Sequence, residues 1–331
     1  MRRCCDLVKF GVIGTGWIAE EFVKGSQLVD GLQFSAVYSR TYEKGRAFAE
    51  KFADVPVYTD IEKLAASDVD AVYIASPNFL HYDQSRLMLE NGKHVLCEKP
   101  ITVSPDEFTR LSSLAEKNGL IYTEAIMYLH LPARETLKKA LKSIGKISTA
   151  HFDFSQLSSK YQALLRGENP NIFNPEMKTG CLRDLGIYCF YPAIDLFGKP
   201  EQIISVADFV FTGADSSGTS ILKYPDFTAT LTYSKIGQDH CGSQIIGDRG
   251  TVTMESVSKL TGMNIYYEED KKRTELCGDI EKHVLMSYEA NDFLNNIIEP
   301  EKTKEKYLEN NRIIFDVNET LFQVKNQVKI L

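Results

Sequence analysis

The chain has 331 residues, which is long for a single hydrophobic core and predicts two domains. A net charge of −7 and a pI near 5.5 argue against a general nucleic-acid binder, which would present a basic face. No apolar run is long enough to span a bilayer, and no signal-peptide pattern follows Met1. We therefore expect no nucleic-acid partner, no membrane partner and a cytoplasmic location.

The seven cysteines are odd in number and show no Cys-x-x-Cys spacing. This usage predicts reduced thiols in a cytosolic enzyme rather than disulfides or a zinc site. Cys4-Cys5 could form a reactive pair, although a functionally silent terminus is the favoured interpretation. The histidines lack partners at metal-ligand spacing, so no metal is predicted; the three considered are His151, His240 and His283.

The first third of the chain alternates strand-like and helix-like patterns. Strands are predicted at residues 9–13, 34–38, 56–58, 71–75, 94–97 and 120–123. Helices are predicted at residues 18–28, 43–52, 61–66 and 81–91, and from Ser104, where Glu107 completes a capping box. This alternation predicts an α/β fold with an N-terminal, doubly wound parallel sheet.

The pattern changes after a further helix at residues 132–143. Longer alternating runs follow at residues 147–154, 203–211, 219–224, 228–233, 244–246 and 251–255, and two terminal helices are predicted at 286–298 and 311–324. Such runs are typical of an antiparallel sheet with one face open to water or a partner. We therefore predict one domain over residues 1–124 and a second, α+β domain over 125–331 with an open, mainly antiparallel sheet.

A glycine-rich turn follows the first strand and opens the first helix. It reads Gly14-Thr15-Gly16-Trp17-Ile18-Ala19, a G-x-G-x-x-A sequence. In a βαβ context the first glycine permits a tight turn, the second lets the backbone approach a pyrophosphate, and the alanine allows close packing. The helix N-terminus offers free N–H groups to phosphates. The pattern predicts dinucleotide binding, although a purely structural glycine turn is the alternative.

The end of the second strand discriminates between the two nicotinamide cofactors. NAD-binding proteins place Asp or Glu there to bind the ribose 2′-hydroxyl, whereas this chain has no acid after Tyr38. Ser39 can donate to a 2′-phosphate, Arg40 can form a bidentate pair with it, and Lys44 is a weaker second cation. The pattern favours NADP, with NAD possible. The alternative is that Arg40 only caps a solvated loop.

Three further segments resemble one superfamily, the Gfo/Idh/MocA oxidoreductases. The first is Ala75-Ser76-Pro77-Asn78 with His81, which looks like that family's segment beside the nicotinamide ribose. The second is Cys97-Glu98-Lys99-Pro100, which contains the family's Glu-Lys-Pro, and the third is Leu182-Arg183-Asp184-Leu185-Gly186-Ile187-Tyr188. In its final tyrosine, the third segment resembles the branch of the family that contains glucose–fructose oxidoreductase and dimeric dihydrodiol dehydrogenase.

The resemblance implies an NADP(H)-dependent dehydrogenase or reductase that acts on a sugar, polyol or cyclic diol. Lys99 would hydrogen-bond the reacting oxygen and lower the pKa of a nearby phenol. Tyr188 would then donate or accept the proton, and Asp184 would orient a substrate hydroxyl or Lys99. Thr179-Gly180 stands where the family usually has two glycines, and Arg183 is at a usually apolar position, so the substrate stays open.

Two other functions are compatible with this fold. One is a non-catalytic NAD(P)-binding regulator or sensor, which the retention of Lys99 and Tyr188 disfavours. The other is a redox-cycling glycosidase with tightly held NAD, which Ser39-Arg40 disfavours. The resemblance also implies a homodimer or homotetramer formed through the C-terminal sheet. The residues favour the same assembly, because strands such as residues 227–233 alternate apolar residues with threonine and would leave a weakly charged open face.

Overall fold

The structure is a computed structural model that describes residues 7–269 and 271–330. It divides into two compact units. Unit 1 consists of Met1–His130 and Glu281–Arg312, and unit 2 of Leu131–Ile280 and Ile313–Leu331. The domain boundary expected after residue 124 stays a prediction, and the segment from Glu281 to Arg312 groups with the N-terminal part of the chain. Cys4 and Cys5 lie outside the described residues.

Unit 1 contains a six-stranded sheet in which every strand pair is parallel. Its spatial order is β3-β2-β1-β4-β5-β6. The strands are β1 (Val8–Ile13), β2 (Leu32–Tyr38), β3 (Val57–Tyr58), β4 (Ala71–Ile74), β5 (His94–Glu98) and β6 (Tyr122–Ala125). All four residues of β4 are buried, as expected for a central strand covered on both faces. The predicted doubly wound Rossmann sheet is confirmed.

The helices of unit 1 begin and end largely where the sequence signals place them. Those in the N-terminal part are α1 (Trp17–Ser26), α2 (Tyr42–Ala49), α3 (Ile61–Ala65), α4 (His81–Glu90) and α5 (Pro105–Asn118). The Ser104 hydroxyl accepts from the Glu107 N–H, as a capping box requires. The Glu107 carboxylate, however, accepts from the N–H of Val103 at 3.1 Å, one residue before the expected partner.

Unit 2 contains an eight-stranded sheet in the order β14-β13-β12-β11-β7-β10-β9-β8. Its strands are β7 (Ile147–Ser155), β8 (Gln202–Phe209), β9 (Asp215–Lys223), β10 (Thr228–Ser234), β11 (Ser243–Gly247), β12 (Gly250–Met254), β13 (Met263–Tyr267) and β14 (Arg273–Cys277). The central pair of β7 and β10 is parallel and the other pairs are antiparallel. This confirms the predicted open, mainly antiparallel sheet. The sheet also contains two strands that were not predicted, β13 and β14.

Three helices precede or interrupt the strands of unit 2. They are α6 (Pro132–Ser143), α7 (Tyr161–Leu165) and α8 (Ile187–Phe197), and a π-helical turn at Leu182–Gly186 leads into α8. Helix α8 covers one face of the sheet. The rings of Phe197 on α8 and Phe152 on β7 lie 6.4 Å apart, and a Cβ added at Gly186 would be 3.1 Å from the Tyr233 ring.

The last two helices are α9 (Lys282–Ile298) and α10 (Pro300–Val328). The prediction that the final helix starts at residue 311 was wrong, because the helix begins at Pro300 and its 29 residues belong partly to unit 1 and partly to unit 2. The first third of this helix is rich in Lys and Glu and shows no apolar periodicity. The pattern of apolar residues therefore did not indicate a helix there. None of the helices in the described part of the chain is both long and apolar enough to cross a membrane.

Candidate active site

The turn between β1 and α1 has the geometry of a phosphate-binding loop. Gly14 has a φ of 112°, and an added Cβ would lie 2.5 Å from the carbonyl oxygen of Ala75, so only glycine fits. A Cβ added at Gly16 would meet nothing within 4 Å, which leaves open space for a ligand. Gly16 is also the N-cap of α1, and as a glycine it has no side chain that could accept a hydrogen bond from an N–H of the helix. The first N–H groups of this helix are therefore available to phosphate oxygens.

The other predicted residues of this turn differ in exposure. Thr15 and Ile18 are half-buried, Ala19 is fully buried, and the indole of Trp17 is exposed. Buried Ala19 allows α1 to lie close to the sheet, as the G-x-G-x-x-A interpretation requires.

At the end of β2 the structure presents two cations and a small polar residue. Ser39 is buried, and its backbone N–H donates to the carbonyl oxygen of Tyr58 at 3.0 Å. Arg40 and Lys44 are exposed, and neither forms an ion pair within the described residues. The carboxyl ends of parallel strands share one edge of a sheet, so the end of β2 lies on the same edge as the turn after β1. This edge can accept a dinucleotide that carries a 2′-phosphate.

His81, the first residue of α4, connects the end of β4 to the turn after β5. Its two ring nitrogens lie 2.8 Å from the carbonyl oxygens of Ser76 and Pro100. The ring is fully buried, and burial lowers its pKa. The Ser76 hydroxyl donates to Gln84 at 2.6 Å, and Pro77 and Asn78 lead into a short 3₁₀ turn.

Lys99 is held on a turn whose neighbours are anchored on both sides. Before it, the carboxylate of Glu98 accepts a hydrogen bond from the Tyr73 hydroxyl at 2.5 Å, and burial raises the pKa of Glu98. After it, the buried carboxylate of Glu124 accepts from the N–H of Ile101 at 2.6 Å. Lys99 itself is half-buried and precedes a cis peptide bond to Pro100. The lysine is thus fixed at the carboxyl end of β5, where ligands bind in such sheets.

In unit 2 the predicted catalytic segment occupies the π-helical turn and the first turn of α8. Asp184 lies in the π-helical turn and forms an ion pair with Lys235, whose side chain is 1% exposed against 28% for Asp184. Tyr188 is half-buried, and its ring packs edge-on against Phe154 with centroids 5.3 Å apart. The extra residue of a π-helical turn often marks a functional position.

Asp215, at the start of β9, anchors the beginning of this segment. Its carboxylate accepts from the N–H of Leu182 at 2.6 Å, and burial raises the pKa of the carboxyl group. A Cβ at Gly180, whose φ is 122°, would lie 1.9 Å from an Asp215 oxygen. Glycine at this position therefore lets the carboxylate reach the backbone at the start of the predicted catalytic segment.

Sequence reasoning missed Lys235 and Asp215. Lys235 and its partner Asp184 are 51 positions apart in sequence, so no local spacing indicated the pair. The one available signal was a lysine directly after the apolar and threonine alternation of β10, where a charged side chain is unusual.

Comparison with known proteins places this chain among nicotinamide-dependent enzymes. Residues 8–126 match the model of the oxidoreductase family with an NAD-binding Rossmann fold, and residues 135–253 match the Gfo/Idh/MocA C-terminal domain. The chain is 36% identical over 324 residues to IolU, a scyllo-inositol 2-dehydrogenase (NADP(+)) of Bacillus subtilis, covering 98% of this chain and 96% of that protein. It is 32% identical over 225 residues to the trans-1,2-dihydrobenzene-1,2-diol dehydrogenase of Mus musculus, covering 66% of this chain and 65% of that protein.

A solved structure also shares the fold. The 3-ketoreductase KijD10 from Actinomadura kijaniata, in complex with NADP and TDP-benzene, aligns with a TM-score of 0.83 and 22% identity, covering 97% of this chain and 98% of that one. Both family models and this likeness agree with the six-stranded parallel sheet and the eight-stranded sheet described above. The chain therefore belongs to the Gfo/Idh/MocA family of oxidoreductases.

Proposed function

We propose that this protein is an NADP(H)-dependent dehydrogenase that oxidises a secondary hydroxyl group of a polyol, a sugar or a cyclic diol. The observation that carries the choice of cofactor is the end of β2, where Ser39 and Arg40 stand without an acidic residue. An acid at this point would bind a 2′-hydroxyl and repel a 2′-phosphate, whereas the exposed guanidinium of Arg40 attracts one. Relatives named as NADP(+) enzymes support the same choice.

The chemistry divides between named groups of this chain. The nicotinamide, when bound, supplies or accepts the hydride. Lys99 is proposed to donate a hydrogen bond to the reacting oxygen, because its turn is anchored through Glu98 and Glu124. Tyr188 is proposed to take the hydroxyl proton during oxidation and to return it during reduction. Asp184, held by Lys235, is proposed to accept a hydrogen bond from a neighbouring hydroxyl of the substrate.

The remaining predicted site residues are assigned to the cofactor. Gly14, Thr15, Gly16, Trp17 and Ile18 are proposed to surround the pyrophosphate, and Ser39, Arg40 and Lys44 the 2′-phosphate. Ser76, Pro77, Asn78 and Glu98 are proposed to lie beside the nicotinamide ribose. Since its ring is buried against two backbone carbonyls, His81 is proposed to contribute by holding the Lys99 turn.

The direct test is NADP(+) reduction by the purified protein, followed at 340 nm across a panel of inositols, aldoses and trans-dihydrodiols. We expect turnover with at least one cyclic or linear polyol and a clear preference for NADP(+) over NAD(+). Tight NADPH binding without turnover on any member of the panel would favour the non-catalytic regulator instead. Absence of binding to either cofactor would refute the proposal altogether.

We also propose that the open face of the unit 2 sheet forms a homodimer interface, with a tetramer of such dimers as the larger alternative. Thr230 of β10 pairs with Ile221 of β9, which in turn pairs with Ile204 of β8. Directly paired residues point to the same face, and Ile204, Val206 and Ile221 are 50%, 66% and 39% exposed. Exposed aliphatic side chains flanked by threonines suit a self-complementary contact.

Light scattering at micromolar concentration tests this assembly. A mass near the 37.4 kDa of one chain would reject the dimer. If a dimer forms, Thr230→Arg should weaken it because a buried, unpaired charge is costly, while NADPH affinity should persist. Loss of assembly and of cofactor binding together would mean that the interface lies elsewhere.

The cysteines that the structure describes are unpaired, which supports the further proposal of a cytoplasmic location.

A further inference from the structure

A lysine from the C-terminal part of the chain lies over the dinucleotide turn. The ammonium of Lys282, the first residue of α9, is 4.7 Å from the centroid of the Trp17 ring. Trp17 directly follows Gly16, is the first residue of α1, and is 65% exposed. A cation over an exposed indole is attracted by the face of the ring, which positions the ammonium without immobilising it.

The packing of α9 against α1 places this lysine. A Cβ at Gly25 on α1 would lie 2.7 Å from the carbonyl oxygen of His283 and 3.0 Å from the N–H nitrogen of Ser287. Glycine at this position therefore brings the backbones of the two helices into direct contact, and the start of α9 is fixed beside α1. Lys282 is thus held by the helix contact rather than by a flexible loop.

Lys282 also acts electrostatically on two carboxyl groups, one of which lies in the Glu-Lys-Pro turn. Burial raises the pKa of Glu98 and of Glu289, and the charge of Lys282 opposes that rise at both carboxyl groups. Glu98 immediately precedes Lys99 at the end of β5. Within unit 1, Lys282 thus contacts the first residue after the phosphate-binding turn and acts electrostatically on the Glu-Lys-Pro turn.

The helix N-terminus at Gly16 and Trp17 is where the pyrophosphate of a dinucleotide is expected, and that group carries two negative charges. A lysine is a flexible point charge that reaches several ångströms from its Cα atom. We propose that Lys282 is a further cofactor-recognition residue, whose ammonium leans on Trp17 and neutralises the pyrophosphate of NADP(H). This inference rests on the proposed NADP(H) dependence.

The experiment compares two ligands on the full-length protein. Trp17 is the chain's one tryptophan, so energy transfer from its emission to NADPH reports binding directly. Displacement of NADPH then gives the affinity of adenosine 2′-phosphate, which has the 2′-phosphate and lacks the pyrophosphate. Lys282→Met keeps an apolar side chain of similar length over the indole and removes the charge.

We expect Lys282→Met to weaken NADPH binding about 5- to 30-fold, as for the loss of one charge-assisted contact. Its affinity for adenosine 2′-phosphate should change less than twofold, and Lys282→Arg should retain most of the NADPH affinity. Arg40→Ala is the matched contrast, because it should weaken both ligands. The exposed Lys302 on α10 provides a neutral control as Lys302→Met.

An unchanged NADPH affinity in Lys282→Met would overturn the inference. So would an equal loss for both ligands, since that would indicate an effect through the fold of unit 1. Failure of the wild-type protein to bind NADPH at all would instead refute the proposed cofactor. Raising the salt concentration should shrink the difference between Lys282→Met and wild type, because the contact is electrostatic.

Discussion

The ammonium of Lys235 is buried and pairs with Asp184, which keeps partial contact with solvent. Removing one partner of a buried ion pair leaves the other charge uncompensated and typically costs about 3–5 kcal/mol. Because Asp184 is not fully buried, we expect Lys235→Met to lower the free energy of unfolding by about 3 kcal/mol, the lower end of that range. Urea unfolding followed by circular dichroism measures the change.

The double variant Lys235→Met/Asp184→Asn serves as the control for this pair. It removes both charges, so it should be more stable than the sum of the two single losses predicts. Strictly additive losses would show that the two groups do not stabilise each other in solution.

Tyr188→Phe and Lys99→Met should each reduce kcat on the order of a hundredfold or more, because each removes a proposed proton-transfer or oxyanion-stabilising group. NADPH affinity should remain nearly unchanged in both. Initial-rate kinetics with the substrate identified from the panel provides the measurement.

Two matched controls accompany these variants. Tyr224→Phe removes a hydroxyl that donates to the carbonyls of Ala193 and Gly198, and Lys93→Met removes an ammonium that donates to the Ser67 carbonyl before β5. Both should affect stability and leave kcat in place. Normal turnover in Tyr188→Phe would exclude its proposed role.

Arg40→Ala should weaken NADPH binding about 10- to 100-fold and leave NADH binding unchanged, since only NADPH carries the 2′-phosphate that a charge-assisted contact would bind. Fluorescence titration with both cofactors measures the ratio. Arg46 lies on the following helix and pairs with Glu50 and Asp54, so Arg46→Ala should not alter the preference. Equal weakening of both cofactors by Arg40→Ala would contradict the assignment of NADP.

The buried carboxyl group of Glu289 should make stability depend on pH. Neither of its oxygens has a hydrogen-bond partner among the described residues, and burial raises its pKa well above the usual value. The folded state therefore holds a proton that the unfolded state releases above about pH 4.5, and stability falls as the pH rises from there toward the folded-state pKa. The slope is at most about 1.4 kcal/mol per pH unit.

Glu289→Gln abolishes this titration, so its stability relative to the wild type should improve steadily between pH 5 and pH 8. Urea unfolding across that range measures the difference, with Glu305→Gln on the exposed side of α10 as the matched control. A difference between Glu289→Gln and wild type that is independent of pH would show that the carboxyl group is already ionised in the folded protein.

The parallel sheet of unit 1 could be predicted because its strands are short apolar runs that alternate with helix-like segments. Gly14, Gly16 and Lys99 could be proposed as site residues because each belongs to a local motif beside a strand end. Strand β14 was missed because it is an exposed edge carrying Arg273 and Glu275, where burial imposes no alternation.

The residues that hold the candidate catalytic groups escaped prediction for a different reason. Glu124 binds the backbone of Ile101, and Asp215 binds that of Leu182. A buried carboxylate that satisfies a distant N–H leaves no trace in local spacing, because its partner is chosen by the tertiary fold.

The discontinuous make-up of unit 1 also affects how the protein is made. Ribosomes release a chain from its amino end, and the α1 surface around Gly25 is covered by α9, which is synthesised after the whole eight-stranded sheet. Unit 1, which contains the dinucleotide turn, is therefore begun first and completed only after the strands of unit 2 have been synthesised. Until α9 emerges, the nascent chain carries an uncovered helix face, which is the kind of surface that chaperones bind during translation.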